Sequence, residues 1–420
     1  MIRSAVCLLV PVLVAAAPEQ TLDRAAESYV KLVLAVGRHD SSFVDAYYGP
    51  KNWKDEASLG KPVPLSDLRL RTQRLLEQVE WAPGSPRRAF LAKQLVATDA
   101  FLRRLGGEKL GLAEEARLLY DIALPEVSLE GLAEARRKIE ALLPGPGSLE
   151  DRVAALKAKF RVPSDRLPEV CQAALAETKR RTAALLELPK GERFRLEFVK
   201  NKPWGGYNWY EGKRSSLIQV NTDLPMALDR VMPLLAHEGY PGHHVYNTLL
   251  ETQLVEGKHW VEYTIYPLHS PQSLIAEGTA EAALDVIMTD GEQRLFLKKV
   301  LAPLAGLDVS ELDAYLDLQK ALGELSRARL HATRLQLDEG RPEAEVEAFL
   351  VKEGLMGPDR ARKALEFSRV NRAYVYTYEV GKSLVEAWIG SGPDRQKRFV
   401  DLLSRPVTPS EIALIPIGVQ

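Results

Sequence analysis

Three of the seven histidines in this chain fall within eight residues, His237-Glu238-Gly239-Tyr240-Pro241-Gly242-His243-His244. Imidazole is the usual nitrogen ligand of zinc, and a glutamate directly after the first histidine is what a metallohydrolase needs as general base toward its attacking water. The spacing is unlike the four-residue interval that puts two histidines on one helical face. Six residues at about 100° each carry His243 about 240° around from His237, whereas seven return His244 to the same face but about 10.5 Å along the axis. No uninterrupted helix presents either pair to one ion, because Zn–N bonds of about 2.0 Å require nitrogens a few ångströms apart. Pro241 removes the conflict: its ring clashes with the carbonyl of His237, and it has no N–H to close that turn. Gly242 can then take conformations closed to other residues. Looping out about two residues would bring His243 to the place normally held at i+4, and looping out about three would do so for His244.

A catalytic zinc site usually takes three protein ligands and keeps a fourth position open. A third is offered by Ile275-Ala276-Glu277-Gly278-Thr279-Ala280-Glu281-Ala282, where two glutamates stand at i, i+4 in a small, apolar helical stretch. Either Glu277 or Glu281 would face the metal; the plainer alternative, two solvated glutamates, is opposed by alanine-rich surroundings that suggest close packing. Glu281, one turn on, could instead orient a ligand histidine from behind. Cys7 and Cys171 are the two cysteines, too few for a thiolate cluster, and Cys171 fits a buried small hydrophobe. His259, His269 and His331 stand alone in sequence and suit structural roles.

The elements that must hold these groups follow from the pattern around them. From Thr21 to about Pro189, apolar residues recur at three- and four-residue spacing between breaks such as Tyr48-Gly49-Pro50, Pro83-Gly84 and Pro144-Gly145-Pro146-Gly147. That predicts helices joined by short turns. Between Glu192 and Asn221, runs around Phe194, Tyr207 to Trp209 and Leu217 to Val220 predict a small sheet or hairpin, and Leu217-Ile218-Gln219-Val220 could offer an edge to an extended peptide. Thr222-Asp223, with Pro225 just inside, predicts the start of a helix carrying Met226 through His237. Further helices are expected over 268–288, 310–337 with Ser310 and Asp313 as a weak capping box, 343–351 and 359–388, with a last piece from about Lys397.

At 420 residues and 46% hydrophobic content the chain can bury a substantial core, which excludes intrinsic disorder. Its 56 Lys plus Arg against 57 Asp plus Glu leave a net charge of -1, so no long-range field recruits nucleic acid or an anionic membrane. Residues 1–17 have the basic start, apolar run and small-residue cleavage site of a secretory signal, which places the mature chain outside the cell or in the periplasm. No other stretch looks able to span a membrane. The remainder divides into an N-terminal helical region, 18–190, and a catalytic region, 191–420, which can form one continuous domain.

The eight-residue histidine segment resembles the HExxPGHH signature of the bacterial domain-of-unknown-function 885 family, which is grouped with zincin-like metallopeptidases. Tyr207-Asn208-Trp209-Tyr210, Val220-Asn221-Thr222-Asp223-Leu224-Pro225, Glu277-Gly278 and Tyr378-Glu379-Val380-Gly381-Lys382 also look like that family, in the same order along the chain. The resemblance implies a mainly α, zincin-like metallopeptidase fold with a small hairpin or sheet beside the metal site. It further implies zinc held by His237, His243 and Glu277, with Glu238 as base. It favours His243 over His244 because related expanded motifs place a glycine directly before the second ligand. Tyr374, Tyr376 and Tyr378 offer three phenols as donor to a developing oxyanion, and the Tyr-x-x-Gly-Lys likeness selects Tyr378. Where the family commonly has tryptophan after Glu-Gly, this chain has Thr279 and Ala280, so pocket shape and substrate can differ. The expected activity is hydrolysis of a peptide or small amide. A zinc hydrolase of a non-peptide amide or ester would use the same residues; a non-catalytic helical metal-binding protein would have no use for Glu238.

Overall fold

Serines and prolines punctuate the first half of the chain. The computed structural model describes residues 18–202 and 204–413, so the expected leader, 1–17, lies outside them. Eight helices run from Pro18–Val36 to Leu167–Leu185. Ser85, Ser128 and Ser148 each accept a backbone N–H of the first turn they precede, with Pro86 at the start of its helix, satisfying donors that have no partner within the helix. Their apolar faces meet in a core that continues from Leu22 to Ile412, so the helices before residue 190 and those after it bury against one another. The fold is mainly α. Among the described residues no helix is long and apolar enough to cross a membrane.

The segment that changes texture at Glu192 forms three strands, β2 (Arg193–Val199), β3 (Gly206–Gly212) and β4 (Ser215–Asn221), in the order β2-β4-β3. β4 is parallel to β2 and antiparallel to β3. Leu217 to Val220 are therefore in the middle strand, with both edges used, and offer no edge to a peptide; the expectation placed there is corrected. Strand β1 (Val44–Tyr47) arises unannounced among the N-terminal helices and pairs antiparallel with β5 (Ile265–Pro267).

Three of the expected helices also differ. The helix carrying His237 begins at Leu228 because Asp223 is engaged elsewhere: its carboxylate accepts the backbone N–H groups of Asn201 and Lys202. The stretch 310–337 is two helices, Leu312–Gly323 and Arg327–Leu337, parted by a turn in which Leu325 is buried in the core. Glu311, not Ser310, stands at its start. The stretch 359–388 likewise breaks between Pro358–Asn371 and Tyr376–Ile389. At the break Arg372 has φ 50°, and its guanidinium is drawn to Glu115 and the Leu110 carbonyl, so long-range bonds override a continuous helical pattern.

Candidate metal centre

The Leu228–Glu238 helix stops on the two residues that carry chemistry, His237 and Glu238, and a second helix, His243–Leu250, starts on the next histidine. The chain does not bulge within one helix as the spacing suggested; it ends one and begins another. Gly239 and Gly242 donate backbone N–H groups to the Leu235 and Ala236 carbonyls, both at 2.9 Å, which folds the Gly239–Gly242 turn back over the helix end. Tyr240-Pro241 is a cis peptide. A Cβ on Gly242 would stand 1.9 Å from the His237 carbonyl oxygen, so only glycine allows so close a return. The outcome is that His237 Nε2 and His243 Nε2 lie 3.1 Å apart.

Glu277 reaches them from the Pro271–Ile287 helix, which is apolar on nearly every face and buried accordingly. Its packing partner is the Tyr376–Ile389 helix. The two backbones touch at Gly278 and Gly381, where a Cβ on Gly278 would come within 2.5 Å of the Gly381 carbonyl group. This contact explains the Glu-Gly and Tyr-x-x-Gly elements of the sequence. It places Tyr374 so that its hydroxyl donates to Glu277 Oε1 at 2.8 Å. Glu277 Oε2 lies 3.4 Å from His237 Nε2, and Oε1 lies 3.6 Å from His243 Nε2.

These separations suit a metal. Tetrahedral ligands about 2.0 Å from one ion stand about 3.3 Å from each other, and one donor atom from each of His237, His243 and Glu277 falls within 4.8 Å of the others. Glu277 is only 5% exposed, and its Oε2 is buried with no hydrogen-bond partner, an arrangement that costs several kcal/mol unless a positive charge meets it. Burial penalises the charge on both partners, yet His237 is held well above the usual histidine range by Glu277 and Glu281, and Glu277 below the usual carboxylate range by His243 and His237. The cluster thus favours a positive charge among its three side chains, which a metal ion would supply.

The neighbouring residues divide the remaining tasks. Glu281 Oε1 approaches the other ring nitrogen of His237, Nδ1, at 3.4 Å, which fixes the ring so that Nε2 points at the cluster. His244 is fully buried and turned away, its Nδ1 and Nε2 bonded to Ser216 Oγ and Glu192 at 2.8 and 2.9 Å. Glu238 is 5% exposed; burial holds its carboxyl above the usual range against the pull of His237 and His243. Strand β3 lies close over it: Asn208 donates to the Glu238 carbonyl at 2.7 Å, and a Cβ on Gly206 would stand 3.1 Å from Glu238 Oε1. Tyr378 is half-buried, its ring 6.5 Å from that of His237.

His237, Glu238, His243, Glu277, Tyr374 and Tyr378 open on a cavity of about 520 Å³, also lined by Phe367, Val370 and Asn371 of the Pro358–Asn371 helix. Asp45 of β1 also lines it. Its carboxylate accepts the Tyr207 hydroxyl, and burial, offset by His243 and reinforced by Glu277 and Glu238, pushes its carboxyl up to about 7. Tyr374 belongs to the cluster of three phenols that the sequence offers, although not as a partner of Glu277, whereas no local signal marks Asp45; they lie 137 residues after and 192 residues before His237.

A mainly α fold thus presents two histidines and a glutamate to one point, with a second glutamate beside them. Neither a family model nor a curated protein matches the chain. Among solved structures, "the putative lipoprotein from Colwellia psychrerythraea" is similar over 95% of this chain and 75% of that one, at 13% identity and a TM-score of 0.52, which is a likeness of fold. A Pyrococcus furiosus carboxypeptidase in its apo-Mg form matches 94% of this chain and 91% of its own at 13% identity, with a TM-score of 0.39, too loose a superposition to extend further.

Proposed function

We propose that the chain is a zinc-dependent metallopeptidase of zincin-like design, in which His237, His243 and Glu277 hold one zinc ion and Glu238 is the general base. The observation that carries this proposal is the meeting of His237 Nε2, His243 Nε2 and the Glu277 carboxylate, whose Oε2 is buried without a hydrogen-bond partner, at 3.1 to 3.6 Å from one another. A zinc ion there would supply a Lewis acid that acidifies a water and polarises the scissile carbonyl. Glu238 takes a proton from the attacking water and delivers it to the leaving amine; its raised pKa makes it a stronger acceptor than an exposed carboxylate. Tyr378, on the cavity wall, donates its phenolic hydrogen to the oxygen on which charge develops. Tyr374 and Glu281 hold Glu277 and His237 in place. The signal-like character of residues 1–17 supports an envelope or extracellular location for this activity.

Metal analysis of the purified mature chain, combined with a fluorogenic peptide library, tests the proposal. About one zinc per chain is expected, lost in His237→Ala. Glu238→Gln is expected to keep the zinc and the fold while peptide hydrolysis falls by roughly 10² to 10⁴-fold. Undiminished hydrolysis by that variant removes Glu238 as base. Retained zinc with cleavage only in a panel of non-peptide amides and esters moves the substrate class and leaves the metal site standing.

A further inference from the structure

The charges lining the cavity do not balance once the metal site is set aside. Five carboxylates and two lysines face it. Glu277 and Glu238 are committed to the metal and its chemistry. Lys202, Lys363, Asp223 and Glu366 are all exposed; the backbone N–H of Asn201 first, and Lys363 in smaller part, lower the pKa of Asp223, and water screens the rest. Asp45 remains. It sits on β1 at the register shift between the Val44–Pro267 and Ala46–Tyr266 pairs, so the carboxylate is carried on a paired strand and not on a loop. One oxygen accepts the Tyr207 hydroxyl. Among the described residues, no lysine or arginine makes an ion pair with it, although the half-buried Asp121 and the buried Glu115 each have one. A carboxylate drawn out of bulk water and left without a cation is unfavourable, and the vacant side of Asp45 is the cavity that would hold the substrate.

We infer that Asp45 anchors a cationic group of the substrate, an ammonium or guanidinium, carried by a free peptide N-terminus or by a basic side chain. The inference rests on the peptidase proposal for this cavity. Tyr207 fixes the carboxylate's orientation, and the substrate cation supplies the positive charge that the protein withholds. Against a neutral substrate Asp45 would be met by a proton in place of a cation, so the pocket discriminates by attraction to the charged group.

Hydroxamates separate the two levels of the inference, because they bind zinc without being cleaved as peptides. The probes are alanine hydroxamate with a free α-amine, N-acetylalanine hydroxamate with no cation, and Nα-acetyl-lysine hydroxamate with a side-chain cation only. Their affinity for the zinc-loaded full chain is read by calorimetry. One of the two cationic probes is expected to bind roughly 10 to 100-fold more tightly than the neutral one, and which one identifies the source of the charge. In Asp45→Asn the charged-to-neutral ratio is expected to collapse toward unity. Binding of all three with equal affinity by the wild type overturns the inference about Asp45 alone, and this needs no variant to fold. A cation preference that survives in Asp45→Asn also overturns it. Failure of every hydroxamate to bind a zinc-loaded chain overturns the metal-site proposal, and the inference with it.

Discussion

Gly278→Ala is the substitution in which helix chemistry and tertiary packing give opposite answers. In an isolated helix the change is favourable by about 1 kcal/mol, since alanine loses less backbone entropy than glycine. Here the new methyl would lie 2.5 Å from the carbonyl carbon and oxygen of Gly381, and contacts under 3.0 Å are essentially never seen for a Cβ. Both atoms belong to backbone, so no side chain can swing away. The Pro271–Ile287 and Tyr376–Ile389 helices must part by roughly half an ångström or more, at a cost of about 1 to 3 kcal/mol for overpacking. The net expectation is a loss of up to about 2 kcal/mol. The same separation pulls Glu277, one residue away, from the Tyr374 hydroxyl that holds it. Disturbing such an outer partner typically weakens metal binding by roughly 10 to 100-fold. Chelator competition gives the zinc affinity, and urea unfolding of the zinc-free protein gives stability independently of metal. Gly291→Ala is the control: Gly291 is helical with nothing within 4 Å of its Cβ position, so the change should be neutral or stabilising by up to about 1 kcal/mol. A Gly278→Ala protein as stable as the wild type, with unaltered zinc affinity, would refute the claim that this helix contact sets the site.

Gly242→Ala should disrupt the turn that returns His243 to His237, because its Cβ would overlap the His237 carbonyl; retention of wild-type zinc affinity in a folded variant would contradict the role given to that turn. His243→Ala should lose more zinc affinity than His244→Ala, since His244 is turned to Ser216 and Glu192, and the opposite ranking in a competition titration would exchange their roles. Glu192 is held down at about 2: burial opposes ionisation, but bonds from His244, Lys179 and Tyr240 outweigh it. A depressed carboxyl contributes stability that is present above its unfolded pKa of about 4.3 and is lost as pH falls toward its folded value. Glu192→Gln should therefore cost roughly 1.5 to 3 kcal/mol at pH 7, with the difference from wild type shrinking below about pH 4. Equal differences in urea unfolding at pH 7 and pH 3 would show that the charge of Glu192 is not what stabilises this corner.

The sequence by itself determined what kind of chemistry is available and roughly where. Ligand type is a property of single residues, and the break forced by Pro241 and Gly242 is a property of their own backbones, so a cluster built on His237 and one of two following histidines was legible. So was the sheet between Glu192 and Asn221, whose β-like runs are local. Helical periodicity shows which face is apolar but not where tertiary bonds interrupt it. That is why 310–337 and 359–388 read as continuous when Leu325 and Arg372 divide them. Likewise Thr222-Asp223 reads as a helix cap, yet Asp223 is bonded to Asn201 and Lys202. Only the tertiary structure decided which member of each ambiguous pair faces the cluster. His243 is directed there because Glu192 and Ser216 claim His244, and Glu277 because the Gly278–Gly381 contact sets the rotation of its helix. Asp45 and Tyr374 enter the same cavity from distant parts of the chain through strand pairing and helix packing, and such meetings leave no trace in local spacing because they are fixed by the burial of surfaces far apart in sequence.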